Sequence, residues 1–86
     1  MKFDSATMLL VNQMESDVQI IRDALIGLEK RIGSYMVGKD KIKELSENRR
    51  MKQARSRLKE AVHASVLTLL QIQLAKEEGM KDAGED

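Results

Sequence analysis

The sequence predicts an all-α protein: an antiparallel two-helix hairpin, with room for a third short helix, that self-association or a partner completes into a helical bundle. The 86 residues include no proline, 34% charged residues and 2% aromatics, a composition typical of long amphipathic helices. Apolar residues also recur at alternating spacings of three and four, a pattern that a helix uses when it packs against another helix.

The small size of the chain favours association. A single domain of this length has a small core, and small proteins usually gain further stability from disulfides, metals or oligomerisation. With no cysteine and one histidine, association is the remaining route.

The first helix is expected to run from Asp4 or Ser5 to about Val37. Either short side chain can accept the free N–H groups of the opening turn, and Gly38 is a natural stop. The length of the apolar seam disfavours an earlier end at Gly33. This seam consists of Val11, Met14, Val18, Ile21, Leu25, Leu28, Ile32 and Tyr35.

A second helix follows a short connection, and the sequence leaves its start open. Asp40 could cap one continuous helix to about Glu78, or Ser46 could cap a shorter helix after a separate turn. Residues 1–78 then form one hairpin domain, and residues 79–86 form a flexible charged tail. The residues expected to face the first helix are Met51, Ala54, Leu58, Val62, Ser65, Leu69 and Ile72.

A second apolar surface is the main indication of function. From Val62 to Leu74 the second helix is apolar on nearly all sides, whereas one partner helix covers only one stripe. The hairpin is therefore expected to be a non-enzymatic protein–protein interaction module, such as a small adaptor, co-chaperone or inhibitor. A homo-oligomer, with a dimer favoured, and a different protein are the two candidate partners. The predicted partner-binding residues are Leu9, Leu10, Ile20, Leu67, Leu70 and Leu74.

In size and helix layout, residues 10–75 resemble the small hairpin co-chaperones of type III secretion needle subunits. Phage-encoded inhibitors of host proteins share this outline. The resemblance rests on layout and contains no diagnostic motif. It implies a chaperone-like role in which the hairpin accepts a helix of its partner.

A basic band between Lys39 and Lys59 supports an alternative function. This stretch holds nine basic and three acidic residues, enough to neutralise several phosphates. The alternative is a basic helical dimer that binds nucleic acid. Acidic residues elsewhere reduce the net charge to +1, so a solvated helix face with internal charge pairing is the simpler interpretation. The candidate phosphate or acidic-partner contacts are Arg49, Arg50, Lys52, Arg55, Arg57 and Lys59.

Other kinds of chemistry have little support. Glu60 and His63 have the spacing of a ligand pair in di-iron bundles, but Glu15 and Glu29 are expected to flank the apolar seam of the first helix instead of occupying it, and we expect no metal or other cofactor. The sequence shows no nucleophile–base pair and no glycine-rich phosphate loop, so an enzyme is not expected. No segment reaches the ~18 apolar residues that span a bilayer, and a cytoplasmic protein without a membrane partner is expected.

Overall fold

The computed structural model describes residues 2–81, which form an antiparallel helical hairpin with a short helix at its bend. Helix α1 spans Ser5–Met36, α2 spans Lys43–Ser46 and α3 spans Arg49–Gly79. No strand occurs in this part of the chain. At 1.5 Å per residue the two long helices run side by side for about 48 Å. The predicted all-α hairpin is therefore confirmed.

Helix α1 begins and ends where the sequence indicates. The Asp4 carboxylate accepts a hydrogen bond of 2.7 Å from the Thr7 amide, which satisfies one of the free N–H groups of the first turn. At the other end, the Gly38 amide donates to the Gly33 carbonyl at 3.0 Å. A Cβ at Gly38 would lie 2.9 Å from the Cα of Ser34, so a glycine allows the chain to turn closely against the helix.

Neither of the two predicted starts describes the second long helix. Asn48 caps α3, because its side-chain oxygen accepts a hydrogen bond of 3.0 Å from the Met51 amide. Ser46 belongs to α2, and its hydroxyl donates to the Lys43 carbonyl at 3.0 Å. Asp40 lies in the exposed bend before α2. Asparagine is as favourable an N-cap as serine, so residue type makes Asn48 a third candidate cap beside Asp40 and Ser46.

Contact between the long helices confirms half of the predicted α1 seam. One set of seam residues is half-buried against α3: Val11, Val18, Leu25 and Ile32. The prediction is wrong for the other set, which is 40–54% exposed: Met14, Ile21, Leu28 and Tyr35. The positions that take their place each lie one residue further along the helix: Glu15, Arg22, Glu29 and Met36. Helix α1 is thus rotated towards a more polar flank.

The distribution of large and small side chains on the side of α3 that faces α1 explains this rotation. The large side chains of Val62 and Leu69 lie on one flank of this side, and α1 packs against them because they offer more apolar area to bury. The opposite flank of α3 carries small side chains instead: Ala54, Ala61, Thr68 and Ala75. Ala54 is exposed, contrary to the prediction, and the other residues predicted to face α1 are buried or half-buried.

The N-terminal segment closes the open end of the hairpin. The Phe3 amide donates to the Gly79 carbonyl at 2.7 Å, and the Phe3 ring packs so closely on Gly79 that a Cβ there would overlap it. Gly79 is buried and is the last residue of α3. The predicted flexible tail, residues 79–86, includes this glycine, and its residues 82–86 lie outside the described residues.

The core between the helices is small. Within residues 2–81, the buried apolar residues are Met36, Leu58 and Leu69, and no large side chain is fully buried. A single core at this size supplies only roughly 3–5 kcal/mol of net stability. No helix in the same range combines the length and the apolar character needed to cross a membrane.

Candidate interaction surfaces

Three leucines of the predicted partner-binding set lie along the outer side of α3. Leu67, Leu70 and Leu74 are 47, 46 and 41% exposed. Leu67 lies two residues from both Ser65 and Leu69, which are buried against α1. At 100° per residue, Leu67 is therefore on the side of α3 opposite to α1. We refer to Leu67, Leu70 and Leu74 as the outer α3 stripe.

The outer α3 stripe has at least one carboxylate near each end. Glu60 and His63 precede it, Glu77 and Glu78 follow it, and all four are exposed. The Glu60 carboxylate accepts a hydrogen bond of 3.4 Å from Arg57, an exposed pair that contributes little stability. The stripe is thus an apolar strip with carboxylates at its two ends.

The predicted α1 members do not extend this stripe. Leu9 and Ile20 are among the most exposed apolar residues of the hairpin. Ile20 lies two residues from Val18 and from Arg22, which both face α3, so it points away from α3. These two residues and the outer α3 stripe therefore lie on opposite sides of the molecule, and one partner helix cannot contact both. Leu10 belongs to a third surface.

That third surface is a stripe along one side of α1, and the sequence interpretation had assigned all of its members except Leu10 to the contact within the hairpin. Four of its members recur at intervals of seven residues, and a fifth continues the line at the N-terminal end. The stripe keeps one orientation for most of the helix, because seven residues are close to two helical turns. We refer to it as the α1 stripe: Leu10, Met14, Ile21, Leu28 and Tyr35.

Half of the predicted phosphate contacts come together in one cleft. Lys52, Arg55 and Lys59 line it with Ser56 and Met36, and its volume is about 170 Å³. Among the described residues, no aspartate or glutamate lines this cleft. The Arg55 Nε is buried without a hydrogen-bond partner within residues 2–81, so this guanidinium has unused donor capacity. We refer to this site as the basic cleft.

The remaining basic residues lie outside the basic cleft. Arg57 pairs with Glu60 at 3.4 Å. Arg49 and Arg50 occupy the first turn of α3, which contains no acidic residue. Positive charge is unfavourable there, because the N-terminal end of the helix dipole is itself positive. An anion near this turn would relieve that repulsion.

The described residues contain no group of three histidine, aspartate or glutamate side chains that could hold a metal ion. The pKa of Asp4 lies below its ordinary value because the Thr7 amide donates a hydrogen bond to the carboxylate. The lowered pKa of Asp4 therefore reflects its role as the N-cap of α1.

Comparison of the chain with known protein families, with curated proteins and with solved structures finds no match.

Proposed function

We propose that this protein is a non-enzymatic interaction module that binds an amphipathic helix of another protein along the outer α3 stripe. The observation that carries this proposal is the exposure of three leucines at spacings of three and four residues on a long helix. Such spacing matches the i, i+3 and i+7 anchors of helix-in-groove recognition. The proposal includes the adaptor, co-chaperone and inhibitor roles, which share this mode of binding.

The charges around the stripe define the partner further. Carboxylates lie at both ends of the stripe, and Lys76 is directed away from it towards Glu15, with 3.2 Å between Nζ and Oε1. A partner helix with an apolar face and lysine or arginine near both ends of that face would complement this surface. Exposed charges of this kind orient a partner and speed its association more than they add affinity.

Crosslinking tests the outer α3 stripe directly. A photoreactive amino acid at Leu70 should capture the partner in cells, and mass spectrometry should map the contact to an amphipathic helix with basic ends. A synthetic peptide of that helix should bind the wild-type protein and the matched control Leu9→Asp, which changes an exposed leucine on the opposite side of the molecule, but not Leu70→Asp. Far-UV circular dichroism should show equal helix content in the two variants. Equal binding of the peptide by Leu70→Asp would contradict the proposal.

A second candidate function, binding to the phosphates of a nucleic acid, is favoured by the basic cleft. Three cations meet there without a carboxylate from the described residues, and two more arginines lie in the first turn of α3. The chain has only two aromatic residues, Phe3 and Tyr35, so stacking on single-stranded bases contributes little. Binding would be electrostatic and independent of base sequence.

Salt dependence separates the two candidate functions. If the three cleft residues neutralise three phosphates of a DNA duplex, log K should fall with log salt with a slope of roughly −3. Changing Lys52, Arg55 and Lys59 to glutamine should remove this binding, whereas Arg57→Gln should leave most of it. Absence of binding to duplex DNA or RNA at low salt would exclude the second candidate and leave the first unaffected.

A further inference from the structure

We propose that a second copy of this chain covers the α1 stripe, and that the two α1 helices lie antiparallel across a two-fold axis near Ala24. The site of this contact is separate from the outer α3 stripe. The proposal therefore does not depend on the proposed function and extends it, because each dimer would present two outer α3 stripes.

The first support is the size of the uncovered face that carries the α1 stripe. The α1 stripe, from Leu10 to Tyr35, is about 38 Å long at 1.5 Å per residue. The hairpin is 19 Å across, so the footprint of this face, polar residues included, is roughly 700 Å², close to the ~800 Å² that each partner contributes to a standard interface. The face is therefore large enough for a stable dimer.

The second support is the shape of the same face on α3. Glu15 and Lys76 contact each other on one side of the hairpin, 3.2 Å apart. The preceding residue on each helix is rotated by 100° about the axis of that helix. Because the helices are antiparallel, both rotations lead to the opposite side of the hairpin, and Met14 and Ala75 therefore share a face. The small residues of α3 thus lie beside the large residues of the α1 stripe, as in four-helix bundles where large and small side chains interdigitate.

The third support is charge complementarity, which determines the direction of pairing. Asp17 and Arg31 lie along the edge of the α1 stripe, each seven residues from Ala24 and on the same side of the helix. Antiparallel pairing about Ala24 brings Asp17 of each copy beside Arg31 of the other, twice per dimer. Parallel pairing would place like charges together, which is unfavourable. The apolar residues match in the same way, with Ile21 opposite Leu28 of the other copy.

Two adjacent isoleucines provide a matched test. Ile21, on the α1 stripe, is 54% exposed, and Ile20, on the outer side of α1, is 64% exposed. Light scattering behind size exclusion should give twice the 9.7 kDa chain mass for the wild type and for Ile20→Glu, and the monomer mass for Ile21→Glu. Far-UV circular dichroism of Ile21→Glu shows whether its helices persist. A monomeric wild type at roughly 100 µM, well above the micromolar Kd of the weakest interfaces of this size, would overturn the proposal.

Charge exchange keeps the proposal testable if Ile21→Glu unfolds. Asp17→Arg and Arg31→Asp should each weaken the dimer by at least tenfold in Kd, and the double variant should restore it. Restoration would support antiparallel pairing, because only that arrangement brings the two positions together between copies. If neither single change alters the Kd, the interface lies elsewhere.

Cysteine crosslinking provides an independent measure of direction. The chain has no cysteine, so each introduced thiol is unique. A mixture of Met14→Cys and Tyr35→Cys chains should form a disulfide-linked heterodimer under mild oxidation, while Met14→Cys alone should not crosslink. A disulfide between two copies of Met14→Cys would indicate parallel helices and contradict the proposed arrangement. Failure of this dimer would leave binding at the outer α3 stripe testable by the Leu70 experiment.

Discussion

Replacement of Leu69 by alanine is a direct test of how α3 packs on α1. Leu69 is 6% exposed, so truncation removes its favourable transfer from water and leaves a cavity between the helices. Buried leucine-to-alanine changes cost about 2–5 kcal/mol. Because the contact between two helices is open on both flanks, the neighbouring side chains can fill part of the cavity. We therefore expect a loss of about 2–3 kcal/mol in the free energy of unfolding.

The neighbouring leucine is the control. Leu70 is 46% exposed, so Leu70→Ala forfeits about half of the burial and should cost less than about 1 kcal/mol. The change in helix propensity is the same in both variants, and the difference between them therefore measures burial. A gap of about 1.5 kcal/mol corresponds to roughly 6–12 °C in Tm for a domain of this size.

Thermal and urea unfolding, followed by far-UV circular dichroism, measure both variants. The protein concentration must be the same throughout, because the stability of an oligomer depends on it. Equal losses for Leu69→Ala and Leu70→Ala would refute the orientation of α3. A larger loss for Leu70→Ala would place the outer side of the helix against α1.

Three further predictions concern the ends of the helices and the glycines. Gly79→Ala should displace the Phe3 ring and lower the Tm, and an unchanged Tm would contradict the Phe3 contact. A Cβ at Gly27 meets open space, so Gly27→Ala should instead raise the free energy of unfolding by about 1 kcal/mol. Asn48→Ala should cost about 1 kcal/mol in urea unfolding through loss of the α3 cap, and no loss would show that the cap is elsewhere. Hydrogen bonding lowers the pKa of Asp4, so the stabilisation of α1 by this carboxylate should be complete above the ordinary carboxyl pKa and lost as the pH falls through the lowered value. Asp4→Asn should lack this part of the acid titration of helix content. An identical titration of the variant and the wild type would contradict the Asp4 cap.

Local features of the sequence were sufficient to predict the helices. The Asp4 cap and the Gly38 stop depend on neighbouring residues, so the limits of α1 could be determined from the sequence. The start of α3 could not, because the connection contains three candidate caps, Asp40, Ser46 and Asn48. Their choice depends on how the short α2 turns the chain back onto α1, which is a tertiary effect.

Only half of the residues that α1 turns towards α3 could be predicted from the sequence. Its apolar residues form two neighbouring stripes, and a hairpin with one partner helix covers one of them together with the flank beside it. The covered side depends on Val62 and Leu69, whose bulk lies on one flank of α3. A pattern within one helix does not contain this information. The same rotation exposes the α1 stripe, so the candidate dimer face could not be found from α1 alone.

The leucines of the outer α3 stripe could be predicted, because α3 is apolar on more sides than one helix can cover. Their separation from Leu9 and Ile20 could not. The hydrophobic pattern indicates that residues are exposed, but the relative rotation of two helices determines whether exposed residues share a surface.

The hydrogen bond between Phe3 and Gly79 joins the start and the end of the described chain at one pole of the hairpin, while α2 lies at the opposite pole. The order of the helices can therefore be reversed without moving them. A short linker from residue 81 to residue 2, with new ends opened between Gly38 and Lys41, would give a circular permutant in which α3 precedes α1. The bend there is exposed, as is usual for sites that tolerate such cuts. The surfaces described above would keep their places, and the chain ends would move to the pole of the hairpin that holds α2.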